Sequence, residues 1–488
     1  MPPPAVIVWF RNDLRLTDNP ALRAAIASGG RVVPVYIWSP QDEASWPPGG
    51  ASCWWLHHSL HSLEARLAAA GSRLLLRCGP AAQVLAQLVH ETGAGQVHAN
   101  GRCEPAARQQ QQSVAQALPA AGARLTLHPG GLLLSPRRLQ TGAGTPFRRF
   151  TPFWQALKSH LTHEGLSTAP DRLPAVPQSL ASEPLPSLGL LPAHDWAGGL
   201  ARCWQPGEAG ARQRLQATIE SVLPRYATAR DRPDQDATSR LSPHLHFGEI
   251  SPERVLAALD AAAGDSPALD SQVAALRREL GWREFSAHLL WHYPALPQAP
   301  LDKRFAAFPW QNDPERLRAW QRGRTGVPMV DAGMRELWHT GFMHNRVRMI
   351  TASFLTKHLL QPWQAGARWF WDTLLDADLA SNSQNWQWVA GCGADAAPYF
   401  RVFNPVLQGR KFDPEGDYVR RWVPELARLP RRHVHAPWQA PESELLAVGV
   451  RLGETYPRPI VDLATGRQAA LAAYAQTRGA AGRQGAPD

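Results

Sequence analysis

The chain has 488 residues, 44% apolar and 19% charged, too many for a single hydrophobic core and too apolar for a disordered chain, so two globular domains are expected. No apolar run reaches the roughly 18 residues that span a bilayer, and Met1–Pro4 is no charged-then-apolar leader, which argues against a membrane span and for the cytoplasm. The net charge of +10 fits an anionic partner such as nucleic acid, although an Arg-rich composition gives the same figure. Cys53, Cys78, Cys103, Cys203 and Cys392 show no paired metal spacing, so reduced thiols and no metal site are expected.

The first third alternates short apolar runs with helical segments. Val6–Phe10, Val32–Trp38, Arg73–Arg77, Gln96–Asn100 and Arg124–Leu127 read as buried strands, and Ala51–Ala70, Ala81–His90 and Glu104–Leu118 as helices. This alternation predicts a doubly wound parallel sheet. The first strand runs into Trp9-Phe10-Arg11-Asn12-Asp13-Leu14-Arg15 instead of a G-x-G-x-x-G turn, which argues against a standard dinucleotide site there. From Ser167 to Gly210, Pro, Gly and small residues dominate, as in a long connector. Beyond it Pro252–Ala262, Gln272–Trp291, Pro314–Gln321, Val330–Thr340, Asn345–Leu360 and Gly366–Leu375 suit helices, giving an all-α second domain.

The 107 residues from Trp282 to Trp388 hold ten of the twenty tryptophans. Tryptophan needs a partner for its N–H when buried and doubles as a stacking surface for planar rings, so this region is a candidate aromatic pocket. Glu279, Trp282 and Arg283 stand at i, i+3 and i+4, either as a surface Glu–Arg pair over a packed indole or as a carboxyl group lining that pocket. His344, Asn345, Arg346, Arg348 and Met349 crowd one short stretch, with Asp376, Asp378 and Asn382 as candidate partners for Arg348. Thr238-Ser239-Arg240-Leu241-Ser242-Pro243 places hydroxyls and an Arg before a helix, a shape suited to phosphate oxygens and equally to a serine-rich cap. The pairs His57/His61, His244/His246 and His433/His435 read as helix surface. From Arg401 to Arg432 eight Lys/Arg face four acids, interleaved with Phe403, Phe412, Tyr418 and Trp422.

Together these blocks resemble the photolyase/cryptochrome family, over nearly the whole chain, from Trp9–Arg15 to Tyr456-Pro457-Arg458-Pro459. The most specific are Thr238–Pro243, Trp282-Arg283-Glu284-Phe285, Met343–Met349, Asp376–Asn382 with Trp386-Gln387-Trp388, and Asp395–Pro405. The resemblance implies an α/β antenna-binding domain over residues 1–130, a connector over 131–215, and an all-α domain over 216–488 that holds FAD and a DNA lesion. It implies light-dependent repair of UV-damaged DNA by a monomeric deoxyribodipyrimidine photo-lyase, which splits cyclobutane pyrimidine dimers by electron transfer from photoexcited reduced flavin.

By the same resemblance Tyr226, Thr238, Ser239, Arg240, Leu241, Ser242, Asn345, Arg348, Asp376, Asp378 and Asn382 match flavin-contact positions, with Asn382 facing the flavin N5. Glu279, Trp282, Met349 and Trp388 match the lesion pocket, with Arg283 beside it, and Arg230, Arg346, Arg401 and Lys411 match backbone-phosphate positions. Trp386, Trp363 and Trp310 match an electron-hopping triad; without the family they read as core tryptophans. Enzymes acting on (6-4) photoproducts carry histidines where this chain has Asn345 and Met349, which favours cyclobutane dimers. The segments Trp38-Ser39-Pro40 and Ala51–Leu56 resemble plant cryptochromes and plant-like bacterial photolyases, so a blue-light receptor is the main alternative. That kinship points to methenyltetrahydrofolate near Glu43 and Trp46 as antenna, with deazaflavin, flavin or no antenna as alternatives. Two departures stand out: Ser383-Gln384-Asn385, where many photolyases have Asn-Gly-Gly, and Cys103–Arg108, which lacks the Asn-Glu pair of some folate binders.

Overall fold

A computed structural model describes residues 4–161, 166–396 and 400–483. Met1–Pro3 and the Ala397-Pro398-Tyr399 part of the block Asp395–Pro405 lie outside the described residues. Two compact units emerge, interleaved along the chain. The first comprises residues 1–224, 239–294 and 375–380, and the second residues 225–238, 295–374 and 381–488.

The first unit is built on five parallel strands, β1 (Ala5–Phe10), β2 (Arg31–Trp38), β3 (Leu75–Cys78), β4 (Gln96–Asn100) and β5 (Arg124–His128), in the order β3-β2-β1-β4-β5. Central β1 is buried throughout, as a parallel strand covered on both faces must be. Between strands run α1 (Pro20–Ala27), α2 (Gly50–Ala69), α3 (Ala81–Thr92) and α4 (Pro105–Ala117). One face of the sheet packs Val6, Val8, Phe10 and Tyr36 with Trp54, Trp55, Leu60 and Leu63 of α2. The other packs Ile7, Trp9, Val33 and Val35 with Leu85 and Leu88 of α3 and Val114 of α4. All five expected strands and the three expected helices form. Helix α1 has no counterpart among the expected elements, although Asn19 caps it through Leu22 N–H and Pro20 occupies its first turn.

The Pro-rich stretch from Ser167 to Gly210 is laid over the first unit. Leu173, Leu185, Leu188, Leu190 and Leu200 enter one face of the core, and Val176 and Leu180 the other. Glu183 N–H donates to Leu76 O at 2.8 Å and Leu76 N–H to Ser182 Oγ at 2.9 Å, which covers the β3 edge that would otherwise offer free backbone groups. The unit also holds α5 (Phe150–Lys158), α6 (Glu208–Ala217), α7 (Ser242–His246), α8 (Pro252–Asp265) and α9 (Asp270–His292).

The second unit is helical, with α10 (Pro314–Gln321), α11 (Pro328–Thr340), α12 (Asn345–Ser353), α13 (Trp363–Thr373), most of α14 (Leu379–Ala390), α15 (Pro405–Phe412), α16 (Asp417–Trp422) and α17 (Leu463–Arg483). The expected helix Asn345–Leu360 ends early, because Phe354–His358 widens into a π-turn, against which Gly466 of α17 packs closely enough that an added Cβ would meet His358 at 3.1 Å. Buried Asp331 ties two distant segments together, accepting from Thr325 N–H and Oγ1–H and from the Tyr456 hydroxyl. None of the five cysteines is in a disulfide.

Candidate flavin and lesion residues

In the first unit, residues 239–242 lead into α7. Arg240 has φ +50, a left-handed conformation that a non-glycine residue holds only where its surroundings impose it, as they often do at binding loops. Arg214 Nε and Thr218 Oγ1 fix the loop by donating to Ser239 O at 2.6 and 3.3 Å. Ser242 Oγ donates to Asp376 Oδ2 at 2.6 Å, and His246 Nδ1 lies 4.0 Å from Asp378 Oδ2. Five of the expected flavin contacts, Ser239, Arg240, Ser242, Asp376 and Asp378, thus gather around α7, with Leu241 buried beneath them.

What holds α7 is a network the sequence reading missed. Glu249, fully buried, accepts from Trp55 Nε1 at 2.9 Å and Gly207 N at 2.6 Å, and binds His244 Nδ1. The surface reading of His244 is therefore wrong: the ring is 2% exposed, because its partner five residues on is itself in the core. His435 is likewise buried, its Nε2 bonded to the Asp413 carbonyl at 2.7 Å, so the surface reading fails for it too, while His433 stays partly exposed. The Trp9–Arg15 block also has a use: Asn12 Nδ2 donates to His246 O at 3.2 Å, Leu14 N to Phe247 O at 3.1 Å and Arg15 Nη1 to Gly248 O at 2.8 Å. Gly248, at φ +64, admits this approach, since an added Cβ would overlap the Asn12 carbonyl. Gly248→Ala is expected to cost more than about 2 kcal/mol, read as a lower Tm; an unchanged Tm would show the brace to be dispensable.

On α9, Trp282 stacks on Phe150 at 3.6 Å between ring centres and 8° between planes, while Phe285 meets it edge-on. Glu279 stands half-buried one turn earlier. Arg283 donates to Glu284 at 3.1 Å, so its charge is committed within the unit. Burial pushes the Glu284 carboxyl up to about 7, more than Arg283 and the N–H groups of Leu133 and Leu134 draw it down.

The first unit also has a polar cluster at the C-terminal ends of β1 and β4, where the strand order reverses and doubly wound folds bind ligands. Arg102 bridges Glu43 at 2.9 Å and Glu104 at 3.1 Å. Burial works to raise the Glu104 carboxyl, but Arg102 holds it down at about 2. Beside them Arg11 leaves its buried Nη1 without a hydrogen-bond partner, and Trp46 is 7% exposed.

In the second unit, Asn345, Arg348 and Met349 share one face of α12 at i, i+3 and i+4. His344 caps the helix, its Nδ1 accepting from Arg346 N–H at 3.2 Å, and Arg348 Nε donates to Met343 O at 2.7 Å. Arg346 lies 4.4 Å over the Phe412 ring and Lys411 Nζ 5.1 Å from its centre, so two expected phosphate contacts share one aromatic ring. Arg230 lies over Tyr226 at 5.3 Å, Arg401 is exposed, and Thr238 is half-buried. Asn382 Nδ2 donates to Ala367 O at 2.9 Å, which fixes its amide across α13 and α14 and leaves Oδ1 as an acceptor. Trp388 is anchored through Nε1 to Asp395 O at 3.1 Å.

Trp386 and Trp363 are buried, at 2% and 1% exposure, and Trp310 is partly exposed beside Phe308. Gly366 makes room for Trp386, since any Cβ there would overlap its indole. Among the described residues no group of three or more His, Cys, Asp and Glu is placed to hold a metal, and no helix is long and apolar enough to cross a membrane.

A doubly wound sheet, a helical unit rich in tryptophan, and a hydroxyl-rich loop closed by an aspartate are the features that the resemblance to light-driven flavoproteins implies. The family model described as the FAD binding domain of DNA photolyase matches residues 276–476, and that of DNA photolyase matches residues 6–177. The chain belongs to the photolyase/cryptochrome family. It is 49% identical to the Agrobacterium fabrum deoxyribodipyrimidine photo-lyase, covering 97% of this chain and 98% of that one. It is 40% identical to Arabidopsis thaliana Cryptochrome-2, over 97% of this chain and 79% of that one. Among solved structures, a bacterial class III photolyase from Agrobacterium tumefaciens matches with a TM-score of 0.93 at 49% identity, covering 98% of both chains.

Proposed function

We propose that this chain repairs UV-damaged DNA in blue light, splitting cyclobutane pyrimidine dimers. The observation that carries this is the 49% identity over 98% of a protein named deoxyribodipyrimidine photo-lyase. The functional partition then runs through residues 1–130 for an antenna, 131–215 as connector and 216–488 for flavin and lesion, in a cytoplasmic monomer.

The residues present fit FAD. Hydroxyl and N–H donors of the loop at Thr238–Ser242 suit its phosphates, and Asp376, Asp378, Arg348 and Asn345 suit its polar rings and ribityl chain. The Asn382 Oδ1 acceptor left by the bond to Ala367 suits an N–H that the reduced flavin carries and the oxidised one lacks. When bound and reduced, FAD supplies the electron that a blue photon makes available.

The chain's own residues do the rest. A dimer stacks and pairs poorly, so flipping it out of the helix costs only about a few kcal/mol, as is known for photolyases. Trp282, already held flat by Phe150, and Trp388, held by Asp395, offer rigid stacking faces, while the flexible thioether of Met349 adapts to the dimer's shape. Glu279, as the protonated acid, would donate a hydrogen bond to a thymine carbonyl and stabilise the negative charge that develops there before the ring opens. Arg230, Arg346, Arg401 and Lys411 hold phosphates. Trp386, Trp363 and Trp310 pass from core to partial exposure and form a route for electrons from the surface. We assign the antenna to the cluster of Arg11, Glu43, Trp46, Arg102 and Glu104, with methenyltetrahydrofolate favoured over deazaflavin or flavin.

The test is illumination of chemically reduced protein with UV-irradiated oligothymidine. Recovery of intact-thymine absorbance in light and none in the dark is expected; no recovery in light would leave the receptor reading. That second reading rests on the 40% identity to Cryptochrome-2. Repair of (6-4) photoproducts ranks below both, because Asn345 and Met349 stand where those enzymes carry histidines.

A further inference from the structure

The donors of Arg346 are unequally committed. Its Nη2 meets Asp231 Oδ2 at 2.8 Å, its Cζ lies 4.4 Å over the centre of Phe412, and Nη1 lies 3.9 Å from Met349 Sδ. Its Nε is buried without a hydrogen-bond partner. The Asp231 side chain is 40% exposed and that of Arg346 21%, so the carboxylate covers the open edge of the guanidinium. Lys411 adds a second cation on the same Phe412 ring. The neighbouring Arg232 is already served by Asp234, at 2.8 Å from Nε to Oδ1, so Asp231 is not needed there. All these residues belong to the second unit.

We propose that Asp231 is a specificity-determining residue for damaged DNA: a tethered carboxylate that occupies Arg346 until a backbone phosphate displaces it. The proposal rests on the repair reading above. A guanidinium binds carboxylate and phosphate with the same fork, so the two compete for one edge. An exposed ion pair is weak enough to be displaced, yet every DNA contact through Arg346 must first displace it. A flipped dimer offsets that loss by stacking in its pocket. An undamaged duplex has nothing to offset it, so the carboxylate discriminates by acting against the wrong partner.

The experiment is fluorescence anisotropy of one labelled duplex, with and without a single thymine dimer, across a salt series, for the FAD-loaded protein and its Asp231→Asn variant. Asparagine keeps the oxygen acceptor and the size but removes the charge. Affinity for the undamaged duplex is expected to rise about threefold at low salt, a change of the size an exposed pair controls. Its log–log salt slope should steepen by about 0.9, one added phosphate contact, while the slope for the dimer duplex stays as it was. In an Arg346→Gln background the same substitution should leave the slope unmoved. An unchanged undamaged-DNA slope overturns the proposal, and so does an equal gain in the Arg346→Gln background, which makes Asp231 a diffuse charge. Near-UV circular dichroism and flavin absorbance verify that each variant is folded. An unsubstituted protein with no preference for the dimer duplex overturns the repair reading and this proposal with it.

Discussion

Lowering the pH from 7 to 5 is expected to destabilise the protein, with a fall in Tm of about 4 °C, at roughly 1 °C per kcal/mol for a chain of 488 residues. Four histidines drive this. His288, His344, His358 and His435 are at most 4% exposed, and burial holds each imidazole down to about 4. His288 Nε2 accepts from Phe147 N–H and His344 Nδ1 from Arg346 N–H, bonds that need an unprotonated nitrogen. Each ring stays neutral in the folded chain but takes up a proton near 6.5 once unfolded, so below that pH the unfolded chain binds more protons and stability is lost. Carboxyls raised by burial act in the opposite sense, Asp331 and Glu253 among them and two most of all. Glu284, raised to about 7, and Asp413, raised to about 6, both by burial, are protonated in the folded chain first and gain stability as pH falls through those values. Since each tenfold change in proton affinity is worth about 1.4 kcal/mol, the four histidines outweigh the two carboxyls by roughly 4 kcal/mol at pH 5. A Tm that holds level or rises on acidification contradicts this balance.

Trp386→Phe is expected to abolish light-driven reduction of the oxidised flavin. Trp386 packs against Phe370 at 5.0 Å and Trp320 at 6.2 Å, both nearly edge-on, with Gly366 in van der Waals contact below. Phenylalanine keeps most of that packing, at about 1–3 kcal/mol for the smaller ring, but it is far harder to oxidise than an indole. The measurement is bleaching of the oxidised-flavin absorbance under blue light with an external electron donor. Bleaching at the unsubstituted rate would show that the triad assigned to Trp386, Trp363 and Trp310 is not the route. Chemical reduction should restore repair in the variant if the defect lies in electron supply.

The sheet was legible because its strands are continuous apolar runs, which a parallel sheet buried on both faces demands. The helical unit was legible in outline from periodicity, but periodicity does not register a π-turn such as Phe354–His358, which keeps the helical apolar spacing while changing the hydrogen bonds. The misplaced histidines have one physical cause. A histidine enters a core when a partner satisfies it, and the partners here are Glu249, drawn inward by Trp55, and the Asp413 carbonyl, 22 residues from His435. The burial of Glu249 and the approach of the Asp413 carbonyl are not visible in local sequence. The candidate site is proposed from residue type and family pattern, and the contacts that would give it rigidity are not part of that pattern. Phe150 under Trp282 and Asp231 on Arg346 come from segments remote in sequence, and the capping of α12 by His344 is a role that its motif does not announce.

The most direct measurement is repair of an oligonucleotide carrying one cyclobutane thymine dimer at a defined position, by FAD-loaded, prereduced protein in blue light, beside Glu279→Ala and a dark control. Repair that depends on light and falls about tenfold or more in the variant is the expected result, matching the loss of one charge-stabilising donor. Bound, reduced flavin with no repair of the dimer would contradict the account.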